Sequence, residues 1–330
     1  MANKKAFAFL GAAALCIMAT LASLCLGAAN LTLSELWQAI EQGPNSTAGW
    51  IFYYARLPRT AACLLSGAAL AVSGAVIQTV LGNKLASPGI IGVNAGAGLA
   101  VTVCCALGFL SGWIIALSAF GGAMIAVLLV MFTAEKTGAS RTTVILGGVA
   151  VNSFLNALSE ALTTLVPDAG VLSGDFRVGG FSSVVPMRLV PAGILICCAL
   201  AIILTLHNDL DVLALGEETA RSLGMSVRKM RTLFLVLCAM LAGASVSFAG
   251  LLGFVGLIVP HAVRSLVGSK SGQLLPLCAI GGAGFVTACD LVSRLLFIPY
   301  ELPVGIFLSV LGGPFFLGLL IKRKGRHSHA

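Results

Sequence analysis

The run Gly112-Trp113-Ile114-Ile115-Ala116-Leu117-Ser118-Ala119-Phe120-Gly121-Gly122-Ala123-Met124-Ile125-Ala126-Val127-Leu128-Leu129-Val130-Met131-Phe132-Thr133 contains no charged residue. About 20 residues at roughly 1.5 Å each carry a helix across a hydrocarbon layer, so this run predicts a membrane-spanning helix. The same pattern recurs on both sides of it. With 112–133, the apolar runs at roughly 6–29, 59–81, 90–110, 143–165, 189–206, 230–250, 252–270, 274–296 and 303–321 make ten spans. The eighth holds Pro260, followed by His261 and Arg264, which predicts a short or broken helix. The expected fold class is all-α integral membrane, in one transmembrane domain over residues 1–330.

Composition agrees. Of 330 residues, 58% are hydrophobic and 10% charged, against about 25% charged in soluble domains. Mean hydropathy is +1.03. No soluble core of this length hides so much apolar surface, whereas lipid covers it. The 39 glycines suit helices that approach closely. The net charge of +8 comes from basic residues in short loops between apolar runs, which argues against nucleic-acid binding. The ten cysteines all fall in apolar runs and form no CxxC, so they read as small hydrophobes and no metal site is expected.

The start, Asn3-Lys4-Lys5 and then an apolar run ending near Gly27-Ala28-Ala29, resembles a signal peptide. It is also long enough to span, and a retained first helix is expected. With the N-terminus in the cytoplasm, fifteen of the 20 Lys and Arg residues fall inside. Arg56, Arg59, Arg177, Arg188 and Arg294 fall outside. That asymmetry supports ten spans with both termini cytoplasmic. An internal echo links Ser66-Gly67-Ala68-Ala69 before Gly74 to Ala242-Gly243-Ala244-Ser245 before Gly250, as an inverted repeat would.

The chain has no GxxxxGK[ST], so it carries no P-loop of its own. Gly96-Ala97-Gly98 and Gly282-Ala283-Gly284 both lack the third glycine of a dinucleotide fingerprint. No HExxH pattern and no nucleophile–base set is present, so enzymatic activity is not expected. Two carboxylates lie within spans, Glu160 and Asp290, with Asn152 and Asn156 on the helix of Glu160. Asp290 and Arg294, four residues apart, are expected to pair near the outer end. Glu160 is placed near the outer end of its span, where water reaches it. Neither forms a relay across the membrane.

The cytoplasmic segment from about 208 to 229 is the longest inside loop. In it, Glu217 and Glu218 open a short helix bracketed by Gly216 and Gly224. A capped helix between two spans predicts a docking device rather than a plain connector.

Here the sequence resembles a known family. Leu213-Ala214-Leu215-Gly216-Glu217-Glu218-Thr219-Ala220-Arg221-Ser222-Leu223-Gly224 is similar to the coupling segment of the FecCD permease family. So are Arg56-Leu57-Pro58-Arg59, Gly67 to Gln78 with Asn83 to Gly89, and Gly250 to His261. Glu301-Leu302-Pro303-Val304-Gly305 and Gly312-Gly313-Pro314-Phe315-Phe316 complete the set. Lys84 replaces the family's usual proline, and the stretch Val171 to Phe181 lacks its tryptophan.

The resemblance implies the type II ABC importer permease fold: about ten helices, in a homodimer with the pathway at the interface, in the cell inner membrane. It implies two ATPase subunits that hold ATP and Mg, so that this chain needs no cofactor, and an extracytoplasmic solute-binding protein. It implies that Arg56, Arg59 and Arg294 receive carboxylates of that protein. Leu215, Gly216, Glu217, Glu218, Ala220, Arg221, Leu223 and Gly224 would couple to the ATPase. Ala139, Ser140 and Thr142 would form a cytoplasmic gate, and residues 322–330 a cytoplasmic tail. A ferric siderophore is the first expected solute, then haem, then cobalamin. An ion-coupled secondary carrier is the competing reading, and it would want intramembrane carboxylates in series.

Overall fold

The computed structural model describes residues 2–27, 32–136 and 141–327. Their regular structure is all helical, with no strand among them. Helix α1 (Ala2–Cys25) is followed by α2 (Leu33–Gln42) and α3 (Thr47–Trp50). Helix α3 runs through a π-helical turn at Ile51–Arg56 into α4 (Leu57–Val80). Then come α5 (Val93–Ala106), α6 (Gly112–Lys136), α7 (Arg141–Leu165), α8 (Pro167–Leu172), α9 (Gly174–Val178) and α10 (Pro186–Thr205). The remaining helices are α11 (His207–Ala214), α12 (Glu217–Ser222), α13 (Val227–Ala249), α14 (Val255–Val267), α15 (Ser271–Leu295) and α16 (Val304–His327).

Seven helical stretches among the described residues are long and apolar enough to cross a membrane: α1, α3 through α4, α6, α7, α10, α13 and α15. Three shorter apolar helices, α5, α14 and α16, fall on the other expected spans. Each of the ten predicted spans therefore coincides with a helix over its described residues. Helix α14 is short, as Pro260 suggested, at 13 residues, yet Pro260 lies inside it rather than ending it. Helix α16 extends to His327, so the tail expected from residue 322 begins as helix.

Helix α4 is the axis of the bundle. It packs on α15, α13, α14 and α10, and 78% of its most apolar window is buried, against 11% for α1 and 22% for α7. Glycine makes these approaches close. A Cβ at Gly67 would overlap the Gly282 carbonyl, and one at Gly282 the Gly67 carbonyl. Gly96 of α5 and Gly122 of α6 are related in the same reciprocal way. The two incomplete glycine fingerprints thus prove to be helix-crossing points. The drive is backbone-to-backbone packing, since lipid gives no hydrophobic preference for helix association. The internal echo is not repeated in this packing. Gly67 lies against the Gly282 backbone, but its counterpart Gly243 faces the Phe120 ring and Ala123; Gly74 lies against the Gly256 backbone, but its counterpart Gly250 meets the Phe176 carbonyl.

Between the first two spans the sequence reading left a loop, and the structure places α2 and α3 there. Helix α2 is opened by a capping box in which the Thr32 hydroxyl accepts from the Glu35 N–H and the Thr32 N–H donates to Glu35 at 2.8 Å.

Gly67→Ala or Gly282→Ala is expected to lower stability by about 1–3 kcal/mol, the range for overpacked sites. Gly121→Ala, whose Cβ meets nothing within 4 Å, is expected to be near neutral. Thermal unfolding in detergent micelles checks both.

Candidate functional site

Two polar assemblies sit at opposite ends of the bundle. At one end, the start of α4 meets the end of α15 and the segment before α16. Asp290, fully buried, receives Arg59 through Nε at 3.1 Å and Nη2 at 3.0 Å. It also forms an ion pair with Arg294, Nε to Oδ2, at 3.1 Å. Arg59 Nη1 donates to Glu301 at 2.7 Å. Arg294 Nη2 donates to the Ser23 hydroxyl at 2.8 Å, and Ser23 is within 2.9 Å of Thr60 Oγ1. The cluster therefore ties α1, α4 and α15 together. Arg56 donates to the Leu26 carbonyl. A cavity of about 300 Å³ opens here, lined by Tyr54, Arg56, Arg59, Phe181, Arg294 and Glu301.

The three arginines picked from the sequence are thus brought together, but they are not freely displayed. Arg56 is 6% exposed, Arg294 4%, and the Arg59 side chain 14%. The expected Asp290–Arg294 pair is formed, and Arg59 completes it as a buried triad. Three guanidinium groups face two carboxylates, which leaves the cavity wall with excess positive charge. The role of Asp290 as shared counter-ion to two arginines was not visible from spacing alone, since Arg59 lies 231 positions away.

At the other end, α11 and α12 form a shelf beneath the spans. Asp211 Oδ1 accepts the Ser271 N–H at 2.8 Å, at the start of α15. Arg141, the first residue of α7, donates to the Leu213 carbonyl at 2.8 Å. Gly216 precedes α12 with φ 109, a backbone state that a side chain would strain. The adjacent glutamates then diverge. Glu217 turns inward to Arg231 of α13, with Arg221 at 3.6 Å, whereas Glu218 is exposed. Ala220 is buried under the helix, and Arg221 and Gly224 are exposed. Leu215 and Leu223 are 62% and 63% exposed, an apolar edge on either side of α12.

Of the three gate candidates, Ala139 and Ser140 lie outside the described residues. Thr142 is exposed in the first turn of α7, beside Arg141. Sequence reasoning missed two further polar contacts. Arg177 of α9 reaches back into the bundle to the hydroxyls of Thr102 and Ser159. Arg264 of α14 donates to Gln78, which in turn donates to the Gly256 carbonyl at 2.9 Å. The available signal for Arg264 was an arginine inside an apolar run, costly in lipid unless satisfied.

Among the described residues, a bundle of seven long apolar helices and three shorter ones, with an anchored helix between α10 and α13 and an arginine-lined cavity at the far end, is a membrane-transport architecture. The chain belongs to the FecCD transport family, whose sequence model matches residues 15–322. It is 37% identical over 322 residues, 93% of each chain, to the vitamin B12 import system permease protein BtuC of Salmonella typhimurium (strain LT2). It is 33% identical to the hemin transport system permease protein HmuU of Yersinia pestis, covering 95% of each chain. Among solved structures, an inward-facing conformation of a putative metal-chelate type ABC transporter superposes with TM-score 0.85. That match is at 28% identity and covers 95% of this chain and 98% of that one. PsaBC from Streptococcus pneumoniae shares the fold at TM-score 0.56 and 17% identity.

Asp290→Ala would leave Arg294 without a counter-charge in a buried site and Arg59 with Glu301 alone, and is expected to cost about 3–5 kcal/mol. Glu301→Gln removes a partly exposed pair and is expected to cost under about 1 kcal/mol. Unfolding midpoints of the purified variants check the difference.

Proposed function

We propose that this chain is the permease subunit of a binding-protein-dependent ABC importer. It would work as a homodimer in the cell inner membrane, with both termini cytoplasmic. The observation that carries the reading is the α11–α12 shelf: an exposed helix, flanked by Leu215 and Leu223 and bonded to three spans. Exposed apolar side chains beside charged ones mark an interaction surface, and contacts to α7, α13 and α15 give it a grip on the transmembrane helices. Its partners are two ATPase subunits carrying ATP and Mg, which fits a sequence without a P-loop. Glu218, Arg221, Leu215 and Leu223 meet the ATPase. Glu217 and Ala220 hold α12 against the bundle, and Gly216 and Gly224 permit its turns.

At the opposite, extracytoplasmic end, the cavity among Arg56, Arg59 and Arg294 receives carboxylates of a solute-binding protein. Its excess positive charge supports that pairing, which also steers association. Thr142, with Ala139 and Ser140, closes the cytoplasmic side. The solute is a metal-containing chelate of the class that includes ferric siderophores, haem and cobalamin. The names of the vitamin B12 and hemin relatives support a metal-centred ligand.

Uptake of cyanocobalamin, haemin and a ferric siderophore, by cells whose own permeases are deleted, tests the reading. At least one should enter only when the partner ATPase is active. Entry that persists on a proton gradient alone would favour a secondary carrier. Leu223→Asp together with Glu218→Lys is expected to cut uptake at least tenfold while ATP hydrolysis by the complex continues. Arg56→Glu is expected to weaken binding-protein docking most at low salt, because screening already suppresses the attraction at high salt. Equal affinity of parent and variant at low ionic strength would remove Arg56 from the docking surface.

A further inference from the structure

Helix α7 packs through one face only. Val144, Gly148, Leu155 and Ser159 are buried, and Asn152 donates to the Gly89 and Ile90 carbonyls from the same side. At about 100° per residue, the opposite face carries Thr142, Leu146, Val149, Ser153, Asn156, Ala157, Glu160 and Thr164. All eight are exposed in the single chain. Thr142 and Glu160 are eighteen positions apart, about 27 Å along a helix, close to the roughly 30 Å of a hydrocarbon core. Four of these side chains besides Glu160 carry hydroxyl or amide groups. The polar groups from Ser153 to Thr164, with a carboxylate among them, make the outer half of this face costly against lipid. The other exposed residues of α7, Ala150, Phe154, Leu158, Ala161 and Leu165, lie to one side and are apolar, so the helix presents one lipid-compatible strip and one polar strip.

On the permease reading above, the Thr142–Thr164 strip faces the water-filled route across the membrane, and we propose that Glu160 makes the outer part of this route selective for neutral or cationic chelates. The proposal rests on the permease reading above and names the charge class of its solute. Glu160 is the only ionisable side chain on the strip. The other ionisable residue of α7, Arg141, is on the opposite face and bonded to Leu213. The nearest basic side chain in sequence beyond α7, Arg177, is turned to Thr102 and to Ser159 on the packed face. Asp168 and Asp175, on the short helices that follow, are exposed. Negative charge thus dominates the exposed groups at this end of α7. In a two-fold dimer that brings the strips face to face, it is doubled. A carboxylate in a narrow route raises the local concentration of cations and lowers that of anions. Leu146 and Val149, nearer Thr142, give the inner part of the strip an apolar lining with no such preference.

The test uses thiol reagents of opposite charge on the full chain in proteoliposomes. Ser153→Cys lies two turns below Glu160, and Phe154→Cys lies on the apolar strip. Labelling by a cationic and an anionic methanethiosulfonate is followed at low ionic strength, with the parent's native cysteines as background. Ser153→Cys should react with water-soluble reagents and Phe154→Cys should not. The cationic reagent should be faster by about fivefold or more. That ratio should fall toward one with Glu160→Gln and invert with Glu160→Lys. If Ser153→Cys resists both reagents, the water-filled route is overturned. If it reacts with a charge ratio that ignores position 160, the selectivity is overturned and the route stands. Neither result depends on ATP-driven uptake, so failure of the importer reading itself shows separately, in the uptake experiment.

Discussion

Hydrocarbon offers no hydrogen bonds, and most of this structure follows from that. Every polar atom between the two ends must find a partner in the chain or face water. The chain answers in three ways. Backbone groups are closed within helices. On the buried axis, Gln78 is paired across helices with the Gly256 carbonyl and Arg264, and Ser73 turns back on the Leu70 carbonyl of its own helix. Charges are gathered at the ends, where Asp290 serves two arginines at once. The close helix crossings at Gly67–Gly282 and Gly96–Gly122 belong to the same constraint. Without water to squeeze out, helices are held by contact area, and only glycine lets two backbones share it.

The same constraint separates groups that hold the structure from groups available for work. A charge with a partner inside the chain is explained by folding. Asp290, Arg294, Arg59 and Glu217 are of this kind, and their loss is read first as lost stability. A polar group exposed on a span, or an apolar group exposed at an aqueous end, is not explained by folding of one chain. Leu215 and Leu223 beside α12 are of the second kind, and so are Ser153, Asn156 and Glu160 on α7. Glu217 and Glu218 are neighbours in sequence and stand on opposite sides of this division.

The spans were legible because their signal is composition over about 20 residues, which tertiary context does not alter. The short helix after Gly216 was legible because glycine, paired acids and glycine mark its start and end locally. The arginine site was legible only as membership. The motif Arg56-Leu57-Pro58-Arg59 and the spacing of Asp290 and Arg294 name the residues, but burial of all three arginines depends on α1, α4 and α15 meeting, and no local pattern encodes that. The capping box at Thr32-Leu33-Ser34-Glu35 was readable and was overlooked, because a polar stretch between two spans invites the reading of plain loop. Arg177 was placed outside by charge counting, which locates a residue by the ends of its span and is blind to a long side chain reaching back to Ser159.

Under the proposed function, a chain without a nucleotide site must receive its energy as displacement through a surface contact. Few elements here could transmit it. A displacement of α12 acts on α13 through the Glu217–Arg231 pair, on α15 through Asp211 and the Ser271 N–H, and on the first turn of α7 through Arg141 and the Leu213 carbonyl. The last contact matters most for transport, because Thr142 follows Arg141 directly and begins the polar strip of α7. Helix α7 is also among the less buried spans, so it loses less packing than the buried axis when it moves. A lightly packed helix thus bears the strip and is bonded at its base to the shelf. The buried axis α4, locked by glycine crossings and the Asp290 triad, supplies the fixed frame against which that movement has a direction.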